Sequence, residues 1–147
     1  MLFRSYEGAT HAPLLVRAPG MKAAGKKARA LVEFVDIFPS LAELAKLAPP
    51  DGLEGKSFAR LLDDPEAPWD KQAAFSEYPK GGNKGVAMRT DRYRYVEWRD
   101  KKGALVAREL YDHASDPQEN QNVADKPEHA ALLAQLAAQM KAAVPKR

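Results

Sequence analysis

Three patterns of apolar and polar positions divide the chain. The first is a short continuous run, Pro13-Leu14-Leu15-Val16-Arg17, closed by Pro19-Gly20. It reads as a buried strand and a turn, of the kind a parallel sheet covers on both faces. The second has helical spacing: from Val35 to Leu47 the apolar positions are Ile37, Phe38, Leu41, Leu44 and Leu47. Asp36 can cap this helix, Pro39 is tolerated in its first turn, and Pro49-Pro50-Asp51-Gly52 stops it. A short helix over Ser57–Leu62 and a turn at Asp63-Asp64-Pro65 follow.

The third pattern belongs to strands. Ala73–Tyr78, Val86–Thr90, Tyr93–Arg99 and Leu105–Tyr111 are separated by turn signals. Pro79–Gly85 reads as a flexible loop, Asp91-Arg92 as a tight hairpin, and Asp100-Lys101-Lys102-Gly103 as a second turn. Asp125-Lys126-Pro127-Glu128 resembles a capping box, and Leu132, Leu133, Leu136, Met140 and Val144 mark one face of a last helix. The expected fold class is α+β: an α/β-type strand and helix in residues 1–70, then, in residues 71–147, an antiparallel sheet of three to four strands with a packed C-terminal helix.

Composition narrows the function classes. The chain has 147 residues and no cysteine, which excludes disulfides, Cys-ligated zinc and a thiol nucleophile. Its net charge is +3, and the only basic cluster, Lys22, Lys26, Lys27 and Arg29, lies in a loop of small residues. No nucleic-acid partner is expected from so scattered a charge. No run approaches the roughly 18 apolar residues of a membrane span, and Met1–Glu7 shows no secretory signal.

Several strings, taken in order, resemble the C-terminal end of a sulfatase. These are Tyr6-Glu7-Gly8-Ala9-Thr10-His11-Ala12-Pro13-Leu14, Val35–Ala45, Asp51–Phe58, Met88–Trp98, and Glu109-Leu110-Tyr111-Asp112 leading into Ser115–Ala124. The variants Thr10–Leu14 and Arg89–Trp98 look most like the iduronate-2-sulfatase branch. The resemblance implies the alkaline phosphatase superfamily fold, so that residues 1–70 would be the last piece of its α/β core. It also implies a formylglycine nucleophile, a divalent cation, usually calcium, as Lewis acid, and a sulfated small molecule or carbohydrate as substrate. A periplasmic or otherwise extracytoplasmic location fits the same family.

This sequence lacks the family's chemistry. Ser115-Asp116-Pro117-Gln118-Glu119 ends without the arginine of the nucleophile motif and reads as a turn, as does Asp63-Asp64. Leu2 stands about where the family's catalytic lysine is expected. Nucleophile and metal ligands are therefore expected in an N-terminal remainder, and the chain alone is expected to be inactive. Two alternatives stay open: the tail of a phosphonate or phosphate-ester hydrolase of the same superfamily, and a non-enzymatic α+β binding module using the Lys80–Lys84 segment.

The candidates left are residues of a substrate rim. His11 precedes the expected core strand and could donate to a sulfate or a sugar hydroxyl. A histidine merely hydrogen-bonded beside that strand is the simpler reading. Tyr78, Lys80 and Lys84 border a Gly-rich segment where cations suit an anionic sugar. Tyr93, Tyr95 and Trp98 read as packing residues, Arg89 as the ion-pair partner of Asp91 or Glu97, and His113 and His129 as solvent-facing.

Overall fold

The computed structural model describes residues 6–143. The chain divides into two compact units: Pro13–Ala74, and the residues up to Ala12 together with those from Phe75 onward.

The second of these is α+β, built on a four-stranded antiparallel sheet in the order β1 (Ala74–Lys80), β2 (Asn83–Arg89), β3 (Tyr93–Arg99), β4 (Leu105–Asp112). Each strand follows its neighbour in sequence, as short turns require. The expected flexible loop before β2 is a two-residue hairpin instead, with Gly81 and Gly82 at φ 57° and 87°. Two adjacent glycines reach positive φ at both central positions without strain, so the strands extend up to the turn. Met88, Tyr95 and Leu110 stand opposite one another across β2, β3 and β4, all with no exposed surface. On the other face Trp98 lies over Gly85, where a Cβ would come within 2.9 Å of the indole ring.

A helical turn, α1 (Glu7–Thr10), precedes the sheet in sequence, and the long helix α3 (Ala130–Ala143) follows it and packs against β3. Leu136 and Met140 are its buried residues and Leu132 and Leu133 are half-buried; Val144 lies outside the described residues. The expected Asp125 cap is not made. Lys126 stands at the N-cap of a 3-10 turn over Pro127–His129, and Pro127, with no N–H and a fixed φ, starts the helix itself.

Pro13–Ala74 is held together around Asp36. A 3-10 turn (Phe34–Asp36) leads into α2 (Ile37–Leu44). Asp36, with no exposed surface, accepts the Glu33 and Lys56 amides at 2.7 and 2.8 Å, and Lys71 Nζ approaches both its oxygens at 2.7 Å. Ser40 Oγ donates to the Asp36 carbonyl at 2.6 Å and accepts the Phe58 amide at 2.8 Å. The helix stops at Leu44, before the prolines. Lys46 takes a left-handed φ of 58° and Leu47 N–H bonds back to the Ala42 carbonyl at 2.9 Å. The short helix expected at Ser57–Leu62 is a 3-10 turn over Ala59–Leu62.

One expectation for this unit fails. Residues 13–17 form no strand, and Leu15 is 92% exposed. An isolated strand leaves its amides and carbonyls unpaired, and none of the four strands pairs with it. The face of α2 turned inward is the small one, Pro39, Ser40 and Ala42, while Phe38, Leu41 and Leu44 face outward.

Candidate functional site

The expected rim residues do not meet. His11 follows α1, its side chain 76% exposed, with Nδ1 3.0 Å from Glu7 Oε1. Glu7 in turn meets Arg89, near the far end of β2 from Lys84. At about 3.3 Å per residue, roughly 17 Å of strand separates the two positions. Tyr78 and Lys80 lie at the end of β1. Lys84 is paired with Glu77 at 2.7 Å, and Lys80 Nζ stands 5.9 Å from the Trp98 ring centre. His11 and the two lysines therefore occupy opposite ends of the sheet.

A different cluster is assembled at the His11 end, around Arg94 on β3. Arg94 Nε donates to Glu119 Oε1, and Nη2 donates to Glu7 Oε2 at 2.7 Å and to Thr10 Oγ1 at 3.0 Å. Glu119 also accepts the Glu7 amide at 2.7 Å and lies 2.6 Å from His113 Nε2. Arg89 Nε adds a bond to Glu7 at 3.1 Å, so the expected pairing of Arg89 with Asp91 or Glu97 is replaced. Glu97 serves Tyr95 Oη and Arg99. His113, expected in solvent, has a side chain only 8% exposed.

The electrostatics follow from burial and the two guanidiniums. Burial alone would push the Glu7 carboxyl up, but Arg89 and Arg94 together hold it below the usual range. Burial pushes the nearby Tyr111 phenol far up, helped by its hydrogen bond with Tyr6 and by the Glu109 charge. Tyr6 and Tyr111 meet edge to face at 5.6 Å.

Glu7, His113 and Glu119 are the one group of metal-type ligands that converges among the described residues. The arrangement does not fit calcium. The Arg94 guanidinium already lies between the two carboxylates and supplies their positive charge, and an imidazole is a poor ligand for so hard a cation. What this cluster can do is clamp three separate segments.

The string from Glu109 to Ala124 is explained by the same geometry. Trp98 Nε1 donates to Glu109 at 2.8 Å, and Arg92 holds Asp112 through Nε and Nη2 at 2.8 and 2.7 Å. Asp116 accepts the Gln121 amide at 2.8 Å and the Asn120 side chain at 3.1 Å, the expected turn. Asn122 Oδ1 accepts the Leu110 and Ala124 amides, both at 2.9 Å, and so satisfies the edge of β4. The expected turn at Asp63-Asp64 is also present, with both side chains accepting backbone amides. Sequence reasoning missed Arg94, His113 and Glu119 as site members. The available signal was that Glu7, Arg94 and Glu119 each sit inside one of the strings that carried the resemblance.

A family model described as "N-sulphoglucosamine sulphohydrolase, C-terminal" matches residues 3–146. Arylsulfatase K of Gallus gallus is 34% identical over 134 residues, 82% of this chain and 24% of that protein. An ulvan-active sulfatase of Formosa agariphila is 29% identical over 142 residues, 92% of this chain and 27% of that protein. Among solved structures, a phosphonate monoester hydrolase from Silicibacter pomeroyi superposes with a TM-score of 0.71 at 29% identity, covering 86% of this chain and 27% of that one. The chain thus spans about a quarter of the length of the relatives it matches. With that model covering nearly every residue, and its sheet and closing helix in place, the chain belongs to the N-sulphoglucosamine sulphohydrolase C-terminal family, the C-terminal domain of sulfatases.

Proposed function

We propose that this chain is the C-terminal part of an enzyme that hydrolyses sulfate esters of sugars, and that it completes and borders the catalytic part without supplying the chemistry. The observation that carries this is the outward face of α2 and the turn before it. Phe34, Phe38 and Leu41 are 77%, 56% and 57% exposed along the 3-10 turn and α2, Leu47 just beyond the helix is 65% exposed, and Val35 is 49% exposed. An apolar stripe of this kind is normally buried, and at about 25 cal/mol per Å² its cover would contribute several kcal/mol. A chain that matches only about a quarter of its relatives has a natural cover in the N-terminal remainder.

In this reading the nucleophile, a formylglycine, and the calcium ligands lie in that remainder. Calcium would supply Lewis-acid polarisation of the sulfate there. This chain's residues act by position. The Arg94 clamp fixes α1, α1 presents His11, and Glu7 occupies Nδ1 of an imidazole whose side chain is 76% exposed. His11 at one end of the sheet and Tyr78, Lys80 and Lys84 at the other would touch different parts of a substrate longer than one sugar. The ulvan-active relative supports a sulfated carbohydrate. An iduronate-2-sulfatase-like specificity rests on Thr10–Leu14 and Arg89–Trp98 alone.

The test is sulfate release from an aryl sulfate. The 147-residue chain should show none, with or without calcium, while the polypeptide that joins it to its N-terminal remainder should turn over. Turnover by the 147-residue chain, abolished by replacing one of its residues, would overturn the reading. The superposition on a phosphonate monoester hydrolase supports a second reading within the same superfamily. Preference of the complete enzyme for a phosphonate monoester over an aryl sulfate would select it. A binding module with no N-terminal partner would show neither activity.

A further inference from the structure

Two turns lie side by side at the Lys84 end of the sheet. β1–β2 and β3–β4 are successive hairpins, so the Gly81-Gly82 turn and the Asp100–Gly103 turn emerge at the same end. They touch. Lys101 Cε lies 3.2 Å from the position a Cβ would take on Gly82, so its side chain crosses the glycine. Gly81, Gly82, Asn83, Asp100, Lys101 and Lys102 line an open hollow of about 330 Å³.

Charge at this end is unbalanced. Lys84 and Arg99, directly opposite across β2 and β3, are each held by a carboxylate, Glu77 at 2.7 Å and Glu97 at 2.6 Å. Asp100 spends one oxygen on its own turn, accepting the Lys102 and Ala104 amides at 2.8 and 2.9 Å. Lys101 and Lys102 pair with no carboxylate among the described residues, and Lys80 leans over Trp98. The positive charge that remains, Lys101 and Lys102 on one turn and Lys80 beside the other, borders this hollow, and a Cβ on Gly81 or Gly103 would meet only open space. The lining contains no aromatic ring on which a base could stack, which disfavours a nucleic acid.

We infer that the two adjoining turns form a docking surface for a sulfated polysaccharide, with Lys101 and Lys102 engaging its anionic groups and Asn83 its hydroxyls. This rests on the sulfated-sugar reading above and adds a surface that holds the polymer, beyond the residues that border the ester being cleaved. Such contacts release counterions, so affinity falls steeply with salt.

The experiment is retention of the 147-residue chain on immobilised heparin along a salt gradient, with affinity measured at several ionic strengths. Lys101→Gln with Lys102→Gln should elute at lower salt, lose about tenfold in affinity at low salt, and lose close to two contacts' worth of the salt slope, about 0.9 per contact by analogy with DNA. Lys26→Gln with Lys27→Gln removes the same charge from the loop of the other unit and should change retention far less. All four positions are exposed, and matched far-UV circular dichroism will show that both variants fold. Equal losses for the two pairs, no loss for Lys101 and Lys102, or equally tight binding to duplex DNA would each overturn the proposal. None of these results touches sulfate release by the complete enzyme on a small aryl sulfate, which fails only if the sulfatase reading itself is wrong.

Discussion

Glu119 binds Arg94 across a separation of 25 residues, from a backbone held in the left-handed region at φ 56°. A non-glycine residue there carries a conformational cost of order 1 kcal/mol. The contacts that offset it are the guanidinium, the Glu7 amide and His113, all on a carboxylate that is almost wholly buried. Arg94→Ala should leave Glu7 and Glu119 without their shared cation and cost about 3–5 kcal/mol. Urea unfolding followed by circular dichroism measures this, and a loss below about 1 kcal/mol would show that the clamp does not hold the three segments.

The same cluster sets an acid limit on stability. The Glu7 carboxyl lies below its ordinary value of 4.5 in the folded chain. A group whose folded value is depressed contributes stability above its unfolded value and loses it as pH falls through the folded one. The urea midpoint should therefore drop as pH is lowered through about 5 to 3, and Glu7→Gln should flatten that dependence. An unchanged pH profile in the variant would assign the acid sensitivity elsewhere, with Asp112 and Asp116 the next groups to examine, since both are also depressed.

Leucines of the two helices should respond unequally. Leu136→Ala removes a side chain 3% exposed against the sheet and should cost roughly 2–5 kcal/mol. Leu41→Ala, at 57% exposure, should change the stability of the 147-residue chain by less than about 0.5 kcal/mol and improve its solubility. In the complete enzyme Leu41→Ala should become costly. If it stays neutral there, α2 has no cover and the argument that an N-terminal remainder packs on it fails.

Replacing Lys80 and Lys84 by Ala in the complete enzyme should raise KM for an anionic oligosaccharide and leave kcat nearly unchanged. The defect should shrink as salt is raised, because the Debye length is only about 8 Å at physiological ionic strength. The Lys84–Glu77 pair predicts that Lys80→Ala alone accounts for most of the effect. A large loss in kcat would place this end of the sheet in the active site itself.

The sheet was legible because alternation and turn residues specify strands locally. The pattern gives β3 its observed bounds, Tyr93–Arg99, and the spacing of the C-terminal helix turns Leu136 and Met140 inward, as the structure has them. The first seventy residues were harder. The run at Leu14–Val16 has the composition of a core strand, but a strand exists only when another pairs with it, and pairing is not a local property. The periodicity of α2 correctly marks an apolar stripe, though a stripe does not say what will cover it. Arg94, Glu7 and Glu119 were invisible as a group because each looks like an ordinary surface charge until the fold brings them into contact. His11 is expected beside a strand, and with that strand absent its imidazole meets Glu7 instead.

Trp98 lies flat over Gly85 with its indole N–H on Glu109, and Trp69 donates to the Leu31 carbonyl at 2.9 Å. These are the two tryptophans of the sequence, and each belongs to a different unit. Nature has thus supplied one fluorophore per unit. In a Trp69→Phe variant the emission reports the sheet alone, and in Trp98→Phe it reports Pro13–Ala74 alone. A pair of spectra can then show whether the two melt in one transition or two, with no label attached.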